Sequence, residues 1–152
     1  MVNRIDRILV ISCIDYRIQS RIHEFAKLSG FEGNYSYLSF AGSIMSVGGG
    51  HLISTECEKE RDTIARWREN IMDTVEIAVD LHDVGEIWLM SHWDCGACKK
   101  FGIVSNDTPN SDQCAVHRDM FRTSSKYLNN RFTGIVCRGF YLSNVDDMIV
   151  EM

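Results

Sequence analysis

Proline is almost missing from this chain, which has a single one, Pro109, among its 152 residues. That proline lies in the clearest surface loop of the sequence, at 105–111, where polar residues cluster. There is no proline-rich or glycine-serine linker, and no internal repeat. The length and the apolar content of 45% suffice for one hydrophobic core. We therefore expect a single domain over residues 1–152.

Positive charge is also scarce, because 16 lysines and arginines face 21 aspartates and glutamates, for a net charge of −5. Binding to phosphate needs a concentrated basic face, so this balance disfavours nucleic acid and anionic membrane surfaces as main partners. No apolar run approaches the roughly 20 residues that a membrane-spanning helix requires. We expect neither a nucleic-acid partner nor a membrane partner.

The first residues lack the continuous apolar segment and the cleavage pattern of a signal peptide, which leads us to expect a cytoplasmic location. The chain has six cysteines. In a reducing compartment, cysteines serve metal binding or catalysis more often than a disulfide framework.

Apolar segments that read as strands alternate with segments of helical periodicity. This alternation predicts an α/β fold, with a mostly parallel β-sheet flanked by helices. A glycine-rich stretch at 41–50 is predicted to be flexible. The predicted strands are 7–12, 34–40, 86–91 and 133–142, and the predicted helical regions are 17–29, 55–82 and 112–130.

Two of the predicted strands are each followed by a cysteine motif. Cys13 follows the first strand, and His92 and Cys95 follow the strand at 86–91. If these strands are parallel neighbours, their carboxyl ends bring the three side chains to one edge of the sheet, where α/β proteins place their sites. Two sulfurs, one nitrogen and an open fourth position describe a catalytic zinc centre. Thiolates favour Zn²⁺ over magnesium, calcium or manganese.

Asp15 and Arg17 follow Cys13 at intervals of two, so in an extended turn all three side chains can share one side. A carboxylate beside zinc can orient the metal-bound nucleophile, or it can fill the fourth position and close the site. A bidentate pair with Arg17 would favour the first role by holding Asp15 ionised. The alternative is that Asp15 merely caps the following helix and Arg17 lies on the surface.

The two motifs resemble those of the β-class carbonic anhydrases, Cys-x-Asp-x-Arg and His-x-x-Cys-Gly. This resemblance implies that Cys13, His92 and Cys95 bind zinc. It also implies that Asp15 and Arg17 form a catalytic dyad, with Asp15 as a further zinc ligand in a closed state. The motifs stand here as Cys13-Ile14-Asp15-Tyr16-Arg17 and His92-Trp93-Asp94-Cys95-Gly96.

The same resemblance implies the reversible hydration of carbon dioxide to bicarbonate through zinc-bound hydroxide, in a homodimer or homotetramer. Phe40, Gly42 and Gly96 are the candidate residues of the substrate pocket. Phe40 replaces an asparagine of the family pattern and Tyr16 replaces a small residue. Both would narrow the pocket and make it more apolar.

Three alternatives remain open from the sequence. The first is hydrolysis of carbonyl sulfide or carbon disulfide by the same chemistry. The second is a zinc-binding protein without catalysis. The third is a thiol oxidoreductase, since Cys95 and Cys98 form a Cys-x-x-Cys motif, but this leaves His92 unexplained. We expect Cys98 to be a neighbour of the zinc site and not a ligand.

Overall fold

The computed structural model describes residues 7–152, and its core is a five-stranded sheet with the order β2-β1-β3-β4-β5. The first four strands of the chain run parallel, and β5 is antiparallel to β4. Helices flank the sheet, which confirms the predicted α/β class. The strands are β1 (Ile8–Ser12), β2 (Tyr35–Ser39), β3 (Glu86–His92), β4 (Val136–Leu142) and β5 (Ile149–Glu151).

Five α-helices lie in the part of the chain that the structure describes, and the longest of them spans 25 residues. Short 3₁₀ segments at Tyr16–Ile18 and Gly50–Leu52 precede the first and the third of these helices. Among residues 7–152, no helix is long and apolar enough to cross a membrane. The helices are α1 (Gln19–Leu28), α2 (Ile44–Gly48), α3 (Glu58–His82), α4 (Gly96–Lys100) and α5 (Asn110–Arg131).

The two central strands β1 and β3 are buried along their whole length. Parallel strands covered on both faces consist of continuous apolar residues, and both segments show this pattern. Their register pairs Ser12 with Met90, so that β3 continues two residues further, to His92. Cys13 and His92 therefore emerge from the sheet at the same edge.

The prediction that the glycine-rich stretch 41–50 is flexible is wrong. Helix α2 lies within it and is buried from end to end, packed against α3 and α5. A Cβ atom on Gly48 would lie 2.5 Å from the carbonyl oxygen of Met120 and 2.6 Å from the amide nitrogen of Ser124. The glycine is required there for a close approach of two helix backbones, not for mobility.

Two short elements were not predicted from the sequence. Helix α4 has only five residues and starts directly at the second cysteine motif. Strand β5 has three residues and pairs with the end of β4, where Leu142 faces Ile149. Segments this short carry too few residues for a periodic pattern.

Candidate metal centre

Three buried side chains converge at the carboxyl edge of β1 and β3. The Sγ atoms of Cys13 and Cys95 lie 3.9 Å apart. Together with a ring nitrogen of His92, these atoms all lie within 4.8 Å of one another. Each of the three residues is at most 4% exposed. The structure thus brings together the residues that the sequence singled out, in a group that can hold a metal ion.

Each of these residues is positioned by the end of a different element. Cys13 directly follows β1, and His92 is the last residue of β3. Cys95 precedes α4 with an extended backbone conformation at its N-cap position. Side chains placed at the ends of rigid elements converge more precisely than side chains on long loops.

His92 has the protonation pattern of a metal ligand. Its Nδ1 atom lies 2.7 Å from the carbonyl oxygen of Trp93. A carbonyl oxygen only accepts, so Nδ1 is the donor in this contact, which leaves Nε2 as the nitrogen that can bind a metal. Nε2 is buried and has no hydrogen-bond partner among the residues that the structure describes. Such a carbonyl contact fixes the tautomer and orientation of metal-binding histidines.

The two thiols are in an environment that disfavours the thiolate unless a cation compensates it. Its hydrogen bond with Cys95, together with burial, raises the pKa of Cys13 to about 12. At Cys95, contact with Cys13 favours the thiolate, but the Cys98 thiol and burial outweigh this effect and raise its pKa to about 12. A bound divalent cation would reverse this preference. The donor set therefore fits a soft metal ion such as zinc.

Asp15 lies beside this group and is held by Arg17. The Nε atom of Arg17 donates to Oδ1 at 3.0 Å and its Nη2 donates to Oδ2 at 2.7 Å. This bidentate contact lowers the pKa of the Asp15 carboxyl to about 2. Its Oδ2 atom is 3.9 Å from Nε2 of His92. The carboxylate is therefore ionised and adjacent to the candidate ligands.

The capping role considered for Asp15 is present as well. Its Oδ1 atom accepts from the backbone N–H of Arg17 at 3.0 Å, at the start of the 3₁₀ segment. The two interpretations of Asp15 do not exclude each other, because one oxygen serves both the cap and the guanidinium. The Arg17 side chain is 39% exposed, so it lies at the rim of the site.

Arg17 has a second acidic partner in Asp94, which belongs to the second motif. Its Nη1 donates to Oδ2 of Asp94 at 3.2 Å, and its Nη2 donates to the carbonyl oxygen of Asp94 at 3.2 Å. Lys99 of α4 donates to the other carboxylate oxygen of Asp94. Lys99, and after it Arg17, lowers the pKa of Asp94. The charges alternate along Asp15, Arg17, Asp94 and Lys99, and the two carboxylates hold the guanidinium in place.

Asp94 also has a strained backbone that another helix supports. Its φ of +56° lies in the left-handed region that non-glycine residues rarely adopt. Its N–H donates to Oε1 of Gln113 at 2.7 Å, and the Gln113 amide donates to the carbonyl of Thr108 at 2.9 Å. The sequence did not single out Lys99 or Gln113. Nothing in the spacing of Gln113 indicates that α5 packs against the second motif.

Of the proposed pocket residues, Phe40 is the one with an aromatic environment. Its N–H donates to the carbonyl of Ser12 at 2.9 Å, one residue before Cys13. Its half-buried ring packs edge-on against Trp67 at 5.6 Å, and Trp67 packs against Phe101 at 5.5 Å. Phe40 therefore stands next to the candidate centre with its ring fixed in an apolar cluster.

The two glycines proposed for the pocket differ in their surroundings. Gly42 has a φ of +75°, and a Cβ there would lie 3.3 Å from the Cβ of Ala97 in α4. Gly96 opens α4, and a Cβ there would meet only open space. Tyr16 is 86% exposed in this chain, and its effect on the pocket stays a prediction. The pocket role of Phe40, Gly42 and Gly96 stays a prediction.

Cys98 is buried in α4 and lies outside the group of converging atoms. The cysteine pair of the Cys-x-x-Cys motif is not bridged by a disulfide. Cys95 contacts the thiols of both Cys13 and Cys98, but the converging group also contains His92, which the thiol oxidoreductase interpretation leaves unexplained.

The fold is that of the β-carbonic anhydrases. β-Carbonic anhydrase isoform I of Trichomonas vaginalis superposes with a TM-score of 0.55 and 16% identity over 95% of this chain and 80% of that chain. The carbonic anhydrase of Streptococcus mutans superposes with a TM-score of 0.56 and 16% identity, over 97% of this chain and 81% of that chain. One of two tetrameric β-carbonic anhydrases of Sordaria macrospora superposes with a TM-score of 0.57 and 15% identity, over 95% of this chain and 79% of that chain.

The sequence itself identifies the family. Residues 5–151 match the model of the family described as "Putative carbonic anhydrase", and the chain belongs to that family. An uncharacterized protein of Rickettsia conorii is 32% identical over 144 residues, which cover 95% of this chain and 70% of that protein. An uncharacterized protein of Rickettsia bellii is 24% identical, over 95% of this chain and 80% of that protein.

Proposed function

We propose that this protein is a zinc-dependent enzyme that interconverts carbon dioxide and bicarbonate. The observation that carries the proposal is the buried group of Cys13, His92 and Cys95 with the Asp15 carboxylate beside it, held by Arg17. A structural zinc site closes its shell with four protein ligands, whereas three ligands leave one position for water or substrate.

Cys13, His92 and Cys95 are the residues that would hold the ion. The free Nε2 lone pair of His92 and two thiols without a disulfide supply the donors. Bound Zn²⁺ would supply a Lewis acid that makes water a nucleophile near neutral pH. The protein supplies three buried donor side chains held at the ends of β1, β3 and α4.

Asp15 is the group that orients the reacting water and substrate. With a pKa of about 2, it is ionised throughout the physiological range and accepts hydrogen bonds only. Arg17 positions this carboxylate through the bidentate contact, and Asp94 holds Arg17. In the closed state that we propose, Asp15 would be a fourth residue that holds the ion, in competition with its contact to Arg17.

Carbon dioxide is small and apolar, and Phe40, Gly42 and Gly96 are the proposed pocket for it. Phe40, whose ring packs against Trp67, would supply an apolar wall of this pocket. The same apolar wall would accept carbonyl sulfide or carbon disulfide. Hydrolysis of these sulfur analogues is therefore the second candidate function.

We propose a homodimer or homotetramer of single-domain chains in the cytoplasm. The motif turn leaves two large apolar side chains uncovered, with Ile14 61% and Tyr16 86% exposed. Exposed apolar residues next to a site are suited to burial by a second subunit. The Sordaria macrospora relatives of the same fold are tetrameric.

The deciding experiment combines metal analysis with stopped-flow carbon dioxide hydration at alkaline pH, on wild type and Asp15→Asn. We expect about one zinc per chain in both proteins and a loss of hydration activity on the order of 100-fold in Asp15→Asn. Asp80→Asn, at an exposed position of α3, is the matched control and should keep wild-type activity.

The same samples separate the alternatives. Hydrogen sulfide release from carbonyl sulfide, without carbon dioxide hydration, would favour the second candidate function. Zinc-loaded wild type with neither activity would indicate a zinc-binding protein without catalysis. Wild-type protein that neither contains nor takes up zinc would refute the proposal.

A further inference from the structure

We infer that Gln19 is a positioning residue that fixes the turn carrying Cys13 and Asp15, an inference that rests on the proposed metal site. Gln19 is the first residue of α1. Its Nε2 atom donates to the carbonyl oxygen of Cys13 at 3.0 Å and to the carbonyl oxygen of Asp15 at 3.1 Å. One planar amide thus bridges the two residues that would bind zinc and orient the substrate.

The orientation of this amide is dictated by its other partner. The Tyr37 hydroxyl donates to Oε1 of Gln19. With Oε1 occupied, both protons of Nε2 are available for the two carbonyls. The flipped amide would point Oε1 at two acceptors, which cannot donate to it.

Tyr37 is itself held by the strand that leads to the site. Its hydroxyl oxygen lies 2.6 Å from Oγ of Ser12. Since the single proton of the Tyr37 hydroxyl goes to Gln19, only Ser12 can donate in this contact, and the same Ser12 proton is also within reach of the carbonyl oxygen of Cys13 at 3.2 Å. The hydrogen bonds therefore run in one direction, from Ser12 through Tyr37 to Gln19 and on to the motif turn.

Within one chain, the turn relies on these hydrogen bonds because few of its own side chains are packed. Ile14, between the two bridged residues, is 61% exposed. Besides Gln19, the Ser39 hydroxyl at the end of β2 donates to the Cys13 carbonyl at 3.2 Å, and the Ser12 hydroxyl lies at the same distance from this oxygen. The backbone of the turn is thus held from α1 on one side and from β2 on the other.

Gln19 therefore affects both the proposed metal ligand Cys13 and the Asp15 carboxylate beside it. Fixing both carbonyls sets the direction of the Cys13 side chain relative to the Asp15 carboxylate. Groups that orient metal ligands without touching the metal commonly contribute 10–100-fold to affinity, in order-of-magnitude terms. Gln19 does so through the backbone, so its removal should weaken zinc binding and change the ligand geometry.

The test uses Gln19→Met, which keeps length and helix propensity but removes both donors. Zinc affinity is measured by competition with a chromophoric chelator, and geometry by the visible spectrum of the Co²⁺-loaded protein. We expect zinc dissociation constants roughly 10–100-fold higher and a shifted cobalt spectrum. Tyr37→Phe should raise the zinc dissociation constant by a smaller factor and shift the cobalt spectrum in the same direction.

Tyr35→Phe is the matched control, because it removes a hydroxyl from the same strand β2. The partner of this hydroxyl is His23 and not Gln19. It should keep wild-type zinc affinity and the wild-type cobalt spectrum. If Gln19→Met fails to fold, Tyr37→Phe decides on the same two readouts.

Wild-type affinity and an unchanged cobalt spectrum in Gln19→Met would overturn the inference, as would equal changes in Tyr35→Phe and Tyr37→Phe. These readouts do not depend on activity. A wild type that binds zinc but does not hydrate carbon dioxide would overturn the proposed function and leave the inference standing. A wild type without zinc affinity would overturn both.

Discussion

The guanidinium of Arg17 contacts Asp94 twice, once at the carboxylate and once at the main-chain carbonyl, each at 3.2 Å. The two residues are 77 positions apart in sequence. This contact joins the first motif to the second without the participation of a metal. The alignment of Asp15 with the ligands of the second motif is therefore a property of the folded chain.

We predict that Asp94→Asn lowers kcat/KM for carbon dioxide hydration about tenfold while zinc content stays unchanged. A neutral amide accepts a hydrogen bond from Arg17 that is roughly half as strong as the charge-assisted one. The carbonyl contact remains, so Arg17 is loosened and not released. Stopped-flow kinetics with metal analysis on the same sample measures both quantities.

The exposed carboxylate of Asp80 on α3 again provides the control, since Asp80→Asn removes the same charge far from Arg17 in sequence. Because the Asp94 pair is partly exposed, we expect Asp94→Asn to change the free energy of unfolding by at most about 1 kcal/mol. Equal kinetics for wild type and Asp94→Asn would contradict the positioning role.

Cys95 and Cys98 allow a direct comparison of two buried thiols one helical turn apart. Only Cys95 belongs to the group of converging atoms. We expect Cys95→Ser to lose stoichiometric zinc, and Cys98→Ser to retain one zinc per chain. Elemental analysis after dialysis against a weak chelator gives the answer. Loss of zinc in Cys98→Ser would call the assignment of Cys13 into question.

The sequence was sufficient for the sheet edge and the three converging residues because the signals are local. Each motif ends a buried apolar strand, and parallel neighbours share an edge. Cys13, His92 and Cys95 could be chosen from residue type and strand position alone. The roles of these residues stay predictions, since the structure shows their proximity and not a bound ion.

The supporting residues could not be chosen in this way. Gln19, Lys99 and Gln113 act through contacts that depend on how helices dock on the sheet, and polar residues at helix starts are common everywhere. The wrong prediction of flexibility for the glycine-rich stretch 41–50 has the same origin, a contact between distant segments. Gly48 indicates flexibility when it is considered alone. The reason for a glycine at this position is the backbone of α5 at Met120 and Ser124, which lies more than 70 residues later in the sequence.

The contact of Arg138 with Glu151 predicts a pH dependence of stability. Arg138 donates to both carboxylate oxygens, at 2.7 and 3.0 Å, and lowers the pKa of Glu151. A carboxyl whose pKa is lower in the folded state stabilises the protein above its unfolded pKa of about 4.3. That contribution is lost as pH falls through the lowered folded value.

Urea unfolding of wild type and Glu151→Gln at several pH values measures this contribution as a difference. We expect wild type to be more stable at neutral pH by at most about 1 kcal/mol, since the Glu151 side chain is 53% exposed. The difference should shrink towards zero below about pH 4. A difference that is independent of pH would contradict the assignment.

Gly48 and Gly50 offer a comparison of two glycines in the same stretch. A Cβ at Gly48 would collide with backbone atoms of α5 at 2.5 and 2.6 Å, whereas at Gly50 the nearest atom, on Ile64, is 3.7 Å away. Gly48→Ala should therefore lower the free energy of unfolding by about 3 kcal/mol, because a helix must shift to admit the methyl group.

Gly50→Ala, in contrast, should be neutral or stabilise by about 0.4–1 kcal/mol, since it restricts the unfolded chain without a clash. For a chain of this size, the loss in Gly48→Ala corresponds to a Tm lower by roughly 6–12 °C. Thermal unfolding of the two variants beside wild type measures both effects. Similar melting temperatures for the two variants would mean that α2 does not pack tightly on α5 in solution, and that the stretch is as mobile as its composition suggests.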